Sequence, residues 1–419
     1  MGRPLLFPRL APPLLALALF AGTAALAQQA PAPAPVPGEK PAAAGNLPGL
    51  PWKPAVHGKG RLEVLPTGLA VLHVEGTPEE MGEQHGALLG EAVRALVKGY
   101  LPKVIRGSRE GALASAHRLE KRIPERHVRE MKALAAAAAV SYDDILIGAV
   151  VVELFGLNGC SGAAASGPAT VDGSTVVGRN LEWPDHGVLG QYGLVIAARP
   201  EGRRPFLSAG FPALAGVVTG MNGEGLFSAE LVVLNGPVPD REAALEGIPY
   251  PILQRRILEE CGTLAEAEAL VRASPRTVAQ NLLLADPKAG EVLECGSGAC
   301  ALRPQVNGLV VVTNYYGERT TPPQGDPRYE GLCTSFAKIA GGTVDADSME
   351  KAIRGASDKG ISSMLNLQCG VFLPATLEVR ISLSRPSAAR RPMTLLDGAA
   401  LLGVRSPRSL KEAAAGDRK

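Results

Sequence analysis

The stretch Asn158-Gly159-Cys160-Ser161, followed by Thr170-Val171-Asp172-Gly173-Ser174-Thr175-Val176-Val177-Gly178-Arg179-Asn180-Leu181-Glu182-Trp183, stands where the pattern of the chain changes. Before it the sequence reads as helix. Thr77-Pro78-Glu79-Glu80 has the form of a capping box, with Thr77 as N-cap, Pro78 at the first helical position and Glu80 closing the reciprocal bond. Leu88, Leu89, Ala92, Val93, Leu96, Val97 and Leu101 then recur at three- and four-residue spacing, which predicts an amphipathic helix facing a core. A second helix is expected over His127–Ala139, and a third from Ser141 through Leu154. After Cys160 short β-prone runs take over: Thr175–Val177, Tyr192–Ala197, Leu226–Leu234, Asn281–Ala285, Leu309–Val312 and Thr376–Leu383. Asp172-Gly173 and Asn222-Gly223 read as tight turns between antiparallel strands. Helices interrupt at the capping box Thr263-Leu264-Ala265-Glu266 and around Met349–Ile353. Helices set apart from runs of strands predict an α+β layered fold with antiparallel sheets.

Composition narrows the function. The chain has 419 residues, 46% hydrophobic and 20% charged, enough for a large core. Lys plus Arg (43) nearly balance Asp plus Glu (41), and aromatics are 4%, so neither a basic footprint nor a base-stacking platform for nucleic acid is present. There is no G-x-S-x-G, no HExxH, no Walker A and no Rossmann glycine pattern, and the six histidines lack ligand spacing. No cofactor and no metal is implied. Cys295 and Cys300 read most simply as unlinked core cysteines, with a short-loop disulfide as the alternative; Cys261, Cys333 and Cys369 read as small buried hydrophobes.

The combination of Gly159-Cys160 with Gly178-Arg179-Asn180-Leu181-Glu182-Trp183 after an Asp-Gly turn resembles the N-terminal-nucleophile hydrolases of the acyl-coenzyme A:6-aminopenicillanic acid acyltransferase family (peptidase family C45), with choloylglycine hydrolase, penicillin V acylase, N-acylethanolamine acid amidase and acid ceramidase as more distant relatives. Gly76-Thr77-Pro78 leading to Met81-Gly82-Glu83-Gln84-His85-Gly86, Gly220 to Leu226, Asn281 to Asp286, Val311 to Tyr315 and Asn366 to Leu373 resemble further blocks of that family, over roughly residues 60 to 385. The resemblance implies a four-layer αββα sandwich and autocatalytic cleavage between Gly159 and Cys160. The α-amino group so freed, with a reference pKa near 8, can accept the thiol proton without a histidine. By the same resemblance Arg179 favours the thiolate, and Glu182 stands where the family usually has Asp and bonds the Cys160 amino group. Asn222 donates to the oxyanion, Asn314 is a second active-site asparagine, and Arg328 matches a distal arginine. The alternative readings of the same residues are Cys160 as an inert buried thiol, Arg179 and Glu182 as a cross-strand ion pair, Asn222 as a turn residue, Asn314 as a strand-end cap and Arg328 as a surface side chain.

The ends complete the reading. Arg3 and Arg9, the apolar run Leu14–Ala21 and Ala25-Leu26-Ala27 form an export signal over residues 1–27, with Gln28 as the new N-terminus and no stable membrane anchor. Its removal takes the net charge from +2 to 0 and places the protein in the periplasm or outside the cell. Residues 28–57 read as a Pro/Ala-rich linker, 58–159 as a helical N-terminal fragment retained after cleavage, 160–385 as the catalytic portion and 386–419 as a basic solvated tail. The expected activity is hydrolysis of the linear amide bond of a small N-acylated substrate. Alternatives are acyl transfer from the same acyl-enzyme, a non-catalytic exported binding protein, or a phospholipase-B-like lipid hydrolase. Phe206–Val218 is a candidate wall of the substrate pocket.

Overall fold

Thr77 caps the first long helix as the sequence requires: Glu80 N donates to Thr77 Oγ1 at 3.2 Å and Thr77 N donates to Glu80 Oε2 at 2.7 Å. In the computed structural model the described residues are 52–105, 107–155, 159–233, 244–296, 298–317, 326–339, 343–357, 365–383 and 387–416. The export signal and residues 28–51 of the linker therefore lie outside them. The portion before Cys160 holds β1 (Ala55–His57), β2 (Gly60–Val64), β3 (Ala70–Gly76), α1 (Pro78–Gly99), α2 (Leu101–Val104), α3 (Arg109–Glu120), α4 (Glu125–Ala138), α5 (Tyr142–Ala149) and α6 (Val151–Phe155). After it come β4 (Gly159–Ala165), β5 (Val176–Glu182), β6 (Leu194–Pro200), β7 (Phe206–Gly210), β8 (Thr219–Asn222) and β9 (Phe227–Val232), then α7 (Tyr250–Glu260) and α8 (Leu264–Ala273). There follow β10 (Gln280–Ala285), β11 (Gly290–Cys295), β12 (Cys300–Pro304), β13 (Leu309–Val312), α9 (Pro327–Ala337), α10 (Ala346–Ser357), β14 (Asn366–Leu373), β15 (Glu378–Leu383), β16 (Thr394–Asp397), α11 (Gly398–Leu402) and α12 (Pro407–Gly416).

The strands form two sheets, ordered β1-β2-β3-β6-β7-β8-β9-β10-β11-β12 and β13-β4-β5-β14-β15-β16. Three apolar cores separate four layers. One, with Leu72, Met131, Ile145, Leu258 and Leu282, lies between α1, α4, α5, α7 and the larger sheet. A second, with Cys160, Leu181, Phe227, Leu283 and Phe372, lies between the sheets. The third, with Ala163, Leu332, Met349, Ile353 and Val371, lies between the smaller sheet and α9 and α10. The architecture is α+β, a four-layer αββα sandwich. Strand alternation assigns the faces: along β4, Cys160 and Ala164 face the other sheet while Ala163 and Ala165 face the helices. Helices α1 and α4 pack closely because Gly82 and Gly86 lie against α4: a Cβ there would meet Glu130 O at 2.2 Å and Leu134 O at 2.4 Å.

Several boundaries differ from the sequence reading. The sheet begins inside the expected linker, at Ala55, and Trp52 is buried edge-to-face against Tyr192 at 6.0 Å; one aromatic supplies the anchor that the Pro/Ala composition hides. The portion before Cys160 is not purely helical. It contributes β1, β2 and β3, joined by β3 to β6 in the one parallel pairing among the described strands. The third helix breaks at Val150 into α5 and α6. The tail is not wholly solvated: β16 pairs with β15, and Leu396 and Leu402 are buried. Cys295 and Cys300, directly opposite on β11 and β12, are joined in a disulfide, and Cys333 is exposed rather than buried. In the Asn222 turn it is Gly225, with φ of +81°, that takes the left-handed conformation.

Candidate active site

Cys160 sits near the start of β4, fully buried, opposite Leu181 of β5, and its side chain faces the space between the sheets. Arg179, two residues before Leu181 on the same face of β5, is also buried and lies in hydrogen-bond reach of the thiol. Its Nη2 donates to Glu230 O at 2.7 Å and its Nη1 to Asn180 O. Burial pushes the Cys160 thiol pKa up, and the Arg179 charge pulls against that shift.

Asn314 and Arg328 close the other side. Cys160 N donates to Asn314 Oδ1 at 2.7 Å, and Asn314 Nδ2 donates to Val232 O at 2.8 Å. Arg328 Nη1 donates to Asn314 Oδ1 at 2.9 Å and to Cys160 O at 3.2 Å. Arg328 is buried rather than on the surface. Asp326, the N-cap of α9, holds it in a fork, accepting from Arg328 Nε at 3.2 Å and Nη2 at 3.1 Å. Burial alone would lower the Arg328 pKa; Glu182 and Asp326 outweigh it and raise it.

Glu182 lies opposite Gly159 at the end of β5. Its Oε1 accepts from Ser357 Oγ at 3.2 Å and Asn366 Nδ2 at 3.3 Å, and its Oε2 is 3.6 Å from Arg328 Nη1. Burial pushes its pKa up, against the pull of Arg328 and Arg179. The expected bond from Glu182 to the Cys160 nitrogen is not made in this continuous chain, because a peptide nitrogen has one hydrogen and Asn314 takes it. Gly159 is the only residue type that fits there without a shift. A Cβ would lie 3.1 Å from Arg328 Nη1 and 3.2 Å from Glu182 Cβ.

Asn222 is not brought to this group. Met221 faces the inter-sheet core, so Asn222 points to the opposite face of β8, toward α7. There Nδ2 donates to Leu258 O at 3.0 Å and Cys261 O at 2.7 Å, while Oδ1 accepts from Glu224 N and Leu226 N. All of its amide capacity is used in tying the turn to the end of α7, which corrects the oxyanion role expected for it. Cys160, Arg179, Glu182, Asn314 and Arg328 do converge. Sequence reasoning missed Asp326, Ser357 and Asn366, which hold Arg328 and Glu182, although Asp326 ahead of Pro327 carries a readable helix-start signal. It also missed Glu230, which is buried with neither carboxylate oxygen partnered. No group of three His, Cys, Asp or Glu placed to hold a metal occurs among the described residues.

Next to Trp183 a small apolar cavity of about 60 Å³ opens at the end of the inter-sheet layer. Leu96, Tyr100, Val151, Trp183, Phe211, Leu214 and Val218 line it, with Asp144 at its edge as the charged side chain. Tyr100 Oη donates to Pro184 O at 3.1 Å and accepts from Trp183 Nε1, so the polar ends of both rings are occupied. Phe211, Leu214 and Val218 fall within the stretch expected to wall the substrate pocket.

Residues 172–368 match the family acyl-coenzyme A:6-aminopenicillanic acid acyl-transferase. An uncharacterized protein of Archaeoglobus fulgidus is 27% identical over 281 residues, 58% of this chain and 46% of that protein, so the chain spans about half the length of this curated relative. Similar solved structures include a Caenorhabditis elegans N-acylethanolamine-hydrolyzing acid amidase ortholog (19% identity, TM-score 0.45, 51% of this chain and 93% of that one). Penicillin V acylase from Agrobacterium tumefaciens gives 13% identity and a TM-score of 0.40 over 57% of this chain and 86% of that one. A conjugated bile acid hydrolase mutant from Clostridium perfringens gives 13% and 0.39 over 59% and 95%.

Proposed function

We propose, from the premise that residues 172–368 match the acyl-coenzyme A:6-aminopenicillanic acid acyl-transferase family, that the chain is an exported N-terminal cysteine hydrolase acting on linear amides of small N-acylated compounds. The observation that carries the reading is the convergence of Arg179, Glu182, Asn314 and Arg328 on the Gly159–Cys160 peptide. In maturation the Cys160 sulfur attacks the Gly159 carbonyl carbon, and the peptide nitrogen takes up the thiol proton as the C–N bond breaks. Water then hydrolyses the thioester, leaving a Gly159 carboxyl group and a free Cys160 amine and thiol. In turnover that amine accepts the thiol proton, sulfur attacks the substrate amide carbon, and the amine product leaves with the proton. Water deacylates the enzyme. An incoming amine would instead give acyl transfer, the second reading, favoured by the description of the matched family. Glu182 and Asn314 are then placed to hold the new ammonium group. Intact mass and N-terminal sequencing of purified protein test the reading: two co-purifying fragments, one beginning at Cys160, support it, and a single chain overturns it in favour of a non-catalytic protein.

The cavity beside Trp183 supports an apolar acyl group as the half of the substrate bound there. Burial of a methylene contributes about 0.8 kcal/mol, so kcat/KM should rise about fourfold for each carbon added to the acyl chain until the cavity is full. Acyl p-nitroanilides of graded length measure this. Ala213→Phe, which adds a ring to the lining, should move the optimum to shorter chains; an unchanged optimum removes the cavity from the reading.

A further inference from the structure

Helix α7 starts without a cap of its own, because Pro249 at its N-cap carries no side-chain acceptor. The acceptor comes from the other side of the Gly159–Cys160 bond. Glu153, on α6, accepts from Tyr250 N at 2.5 Å and from Thr277 Oγ1 at 3.4 Å through Oε1. As a residue Glu153 is only part-buried, yet its Oε2 is shut off from solvent and has no partner. The atoms around it are equally unsatisfied. Both carboxyl oxygens of Glu230 and the Tyr250 hydroxyl are buried without partners. The ionisable groups facing this pocket are Glu230 from β9, Tyr250 from α7, Arg276 ahead of β10, Tyr316 beyond β13 and Arg179 from β5. Arg179 links the pocket to the nucleophile: it donates to Glu230 O and reaches the Cys160 thiol.

We propose that Glu153 is a positioning residue for the maturation cut: seated on the N-terminus of α7 beside Glu230, it anchors α6 and so holds the Gly159 carbonyl within reach of the Cys160 thiol. This rests on the maturation reading above. The anchor is sensitive to charge. Burial raises the Glu153 pKa to about 8, and burial followed by repulsion from Glu153 carries Glu230 well above the usual carboxylate range. Glu153 therefore stays neutral in its seat up to about pH 8. Unfolded, it ionises near its reference value of about 4.3. The seat is thus firmest below that value, weakens through the interval between the two and is weakest above the folded pKa.

The test is the rate of cutting of newly synthesised full-length chain, followed by intact mass between about pH 5 and pH 10. Glu153→Ala removes the anchor and should slow cutting on the order of a hundredfold, the usual cost of a misplacement near 1 Å. Glu153→Gln keeps an acceptor for Tyr250 N without a charge, so the ratio of its rate to the wild-type rate should climb above about pH 8. A Glu153→Ala chain that cuts at the wild-type rate overturns the role of Glu153. So does a Glu153→Gln ratio that is flat with pH, which decides the matter if the alanine variant does not fold. A wild-type chain that never cuts overturns the maturation reading itself, and this role with it.

Discussion

Cys160→Ala should yield one uncut chain with no amide hydrolysis, where the proposed function expects two fragments from the wild-type. Loss of a nucleophile that works as a unit with its neighbours costs about a millionfold in kcat, which puts residual turnover below detection. The substitution is gentle on the fold. Cys160 is packed among apolar side chains between the sheets, and its backbone bonds to Asn314 and Arg328 do not depend on the sulfur. Circular dichroism and the urea midpoint of the variant should therefore stay close to those of an uncut wild-type chain. Cys160→Ser refines the result. A hydroxyl at the same position remains a nucleophile but is far less ionised than a thiol, so cutting should be slowed rather than lost. Mass spectrometry over hours separates the two variants. Equal cutting in Cys160→Ala and wild-type would remove the thiol from the mechanism.

Much of this site was legible because its residues lie on local patterns. Cys160, Arg179 and Glu182 come from two adjacent strands with a turn between them, so one stretch of sequence carries both the residues and the geometry that joins them. Asn314 and Arg328 were placed only by resemblance, since nothing local says that a residue past β13 and one at the start of α9 meet at Cys160. Asn222 shows the limit of the method. Its block was recognised, but a one-residue difference in strand register decides which face a side chain takes, and here the face belongs to α7. The layered class was readable from helices set apart from strands. The three strands ahead of α1 were not: β1, β2 and β3 pair locally, but they join the large sheet only through β3 and β6, a contact across more than a hundred residues. Glu153 and Glu230 were not legible for the opposite reason: an acidic residue in a sequence is expected at the surface, and only the fold shows that their carboxyl oxygens are shut off from solvent.

The same enclosure governs how the portions on either side of Gly159–Cys160 stay together. Arg255 of α7 makes a fork to Glu130 of α4, with Nη1 to Oε1 at 2.9 Å and Nη2 to Oε2 at 2.6 Å, and its Nε donates to Glu259 Oε1 at 2.8 Å. Glu259 Oε2 is 3.0 Å from His127 Nε2. All four side chains are buried. Burial pushes the Glu259 pKa up and the Arg255 pKa down, but the pairing wins in both, leaving Glu259 below and Arg255 above its ordinary value. Glu130 and His127 precede the Gly159–Cys160 bond in the chain; Arg255 and Glu259 follow it. Arg255→Leu takes the guanidinium from two buried carboxylates, leaving Glu130 without its fork and Glu259 with His127 and Arg126, and should cost about 3–5 kcal/mol, read from the urea midpoint of the uncut Cys160→Ala background. Adding Glu130→Gln should recover part of the loss, because one uncompensated charge is removed with the guanidinium. If the chain is cut as proposed, the single Arg255→Leu change should also loosen the N-terminal fragment, seen as its separation on size exclusion at low concentration. A midpoint unmoved by Arg255→Leu would mean that apolar packing between α1, α4 and the sheet holds the fragment alone, and that the buried ion pairs contribute no net stability.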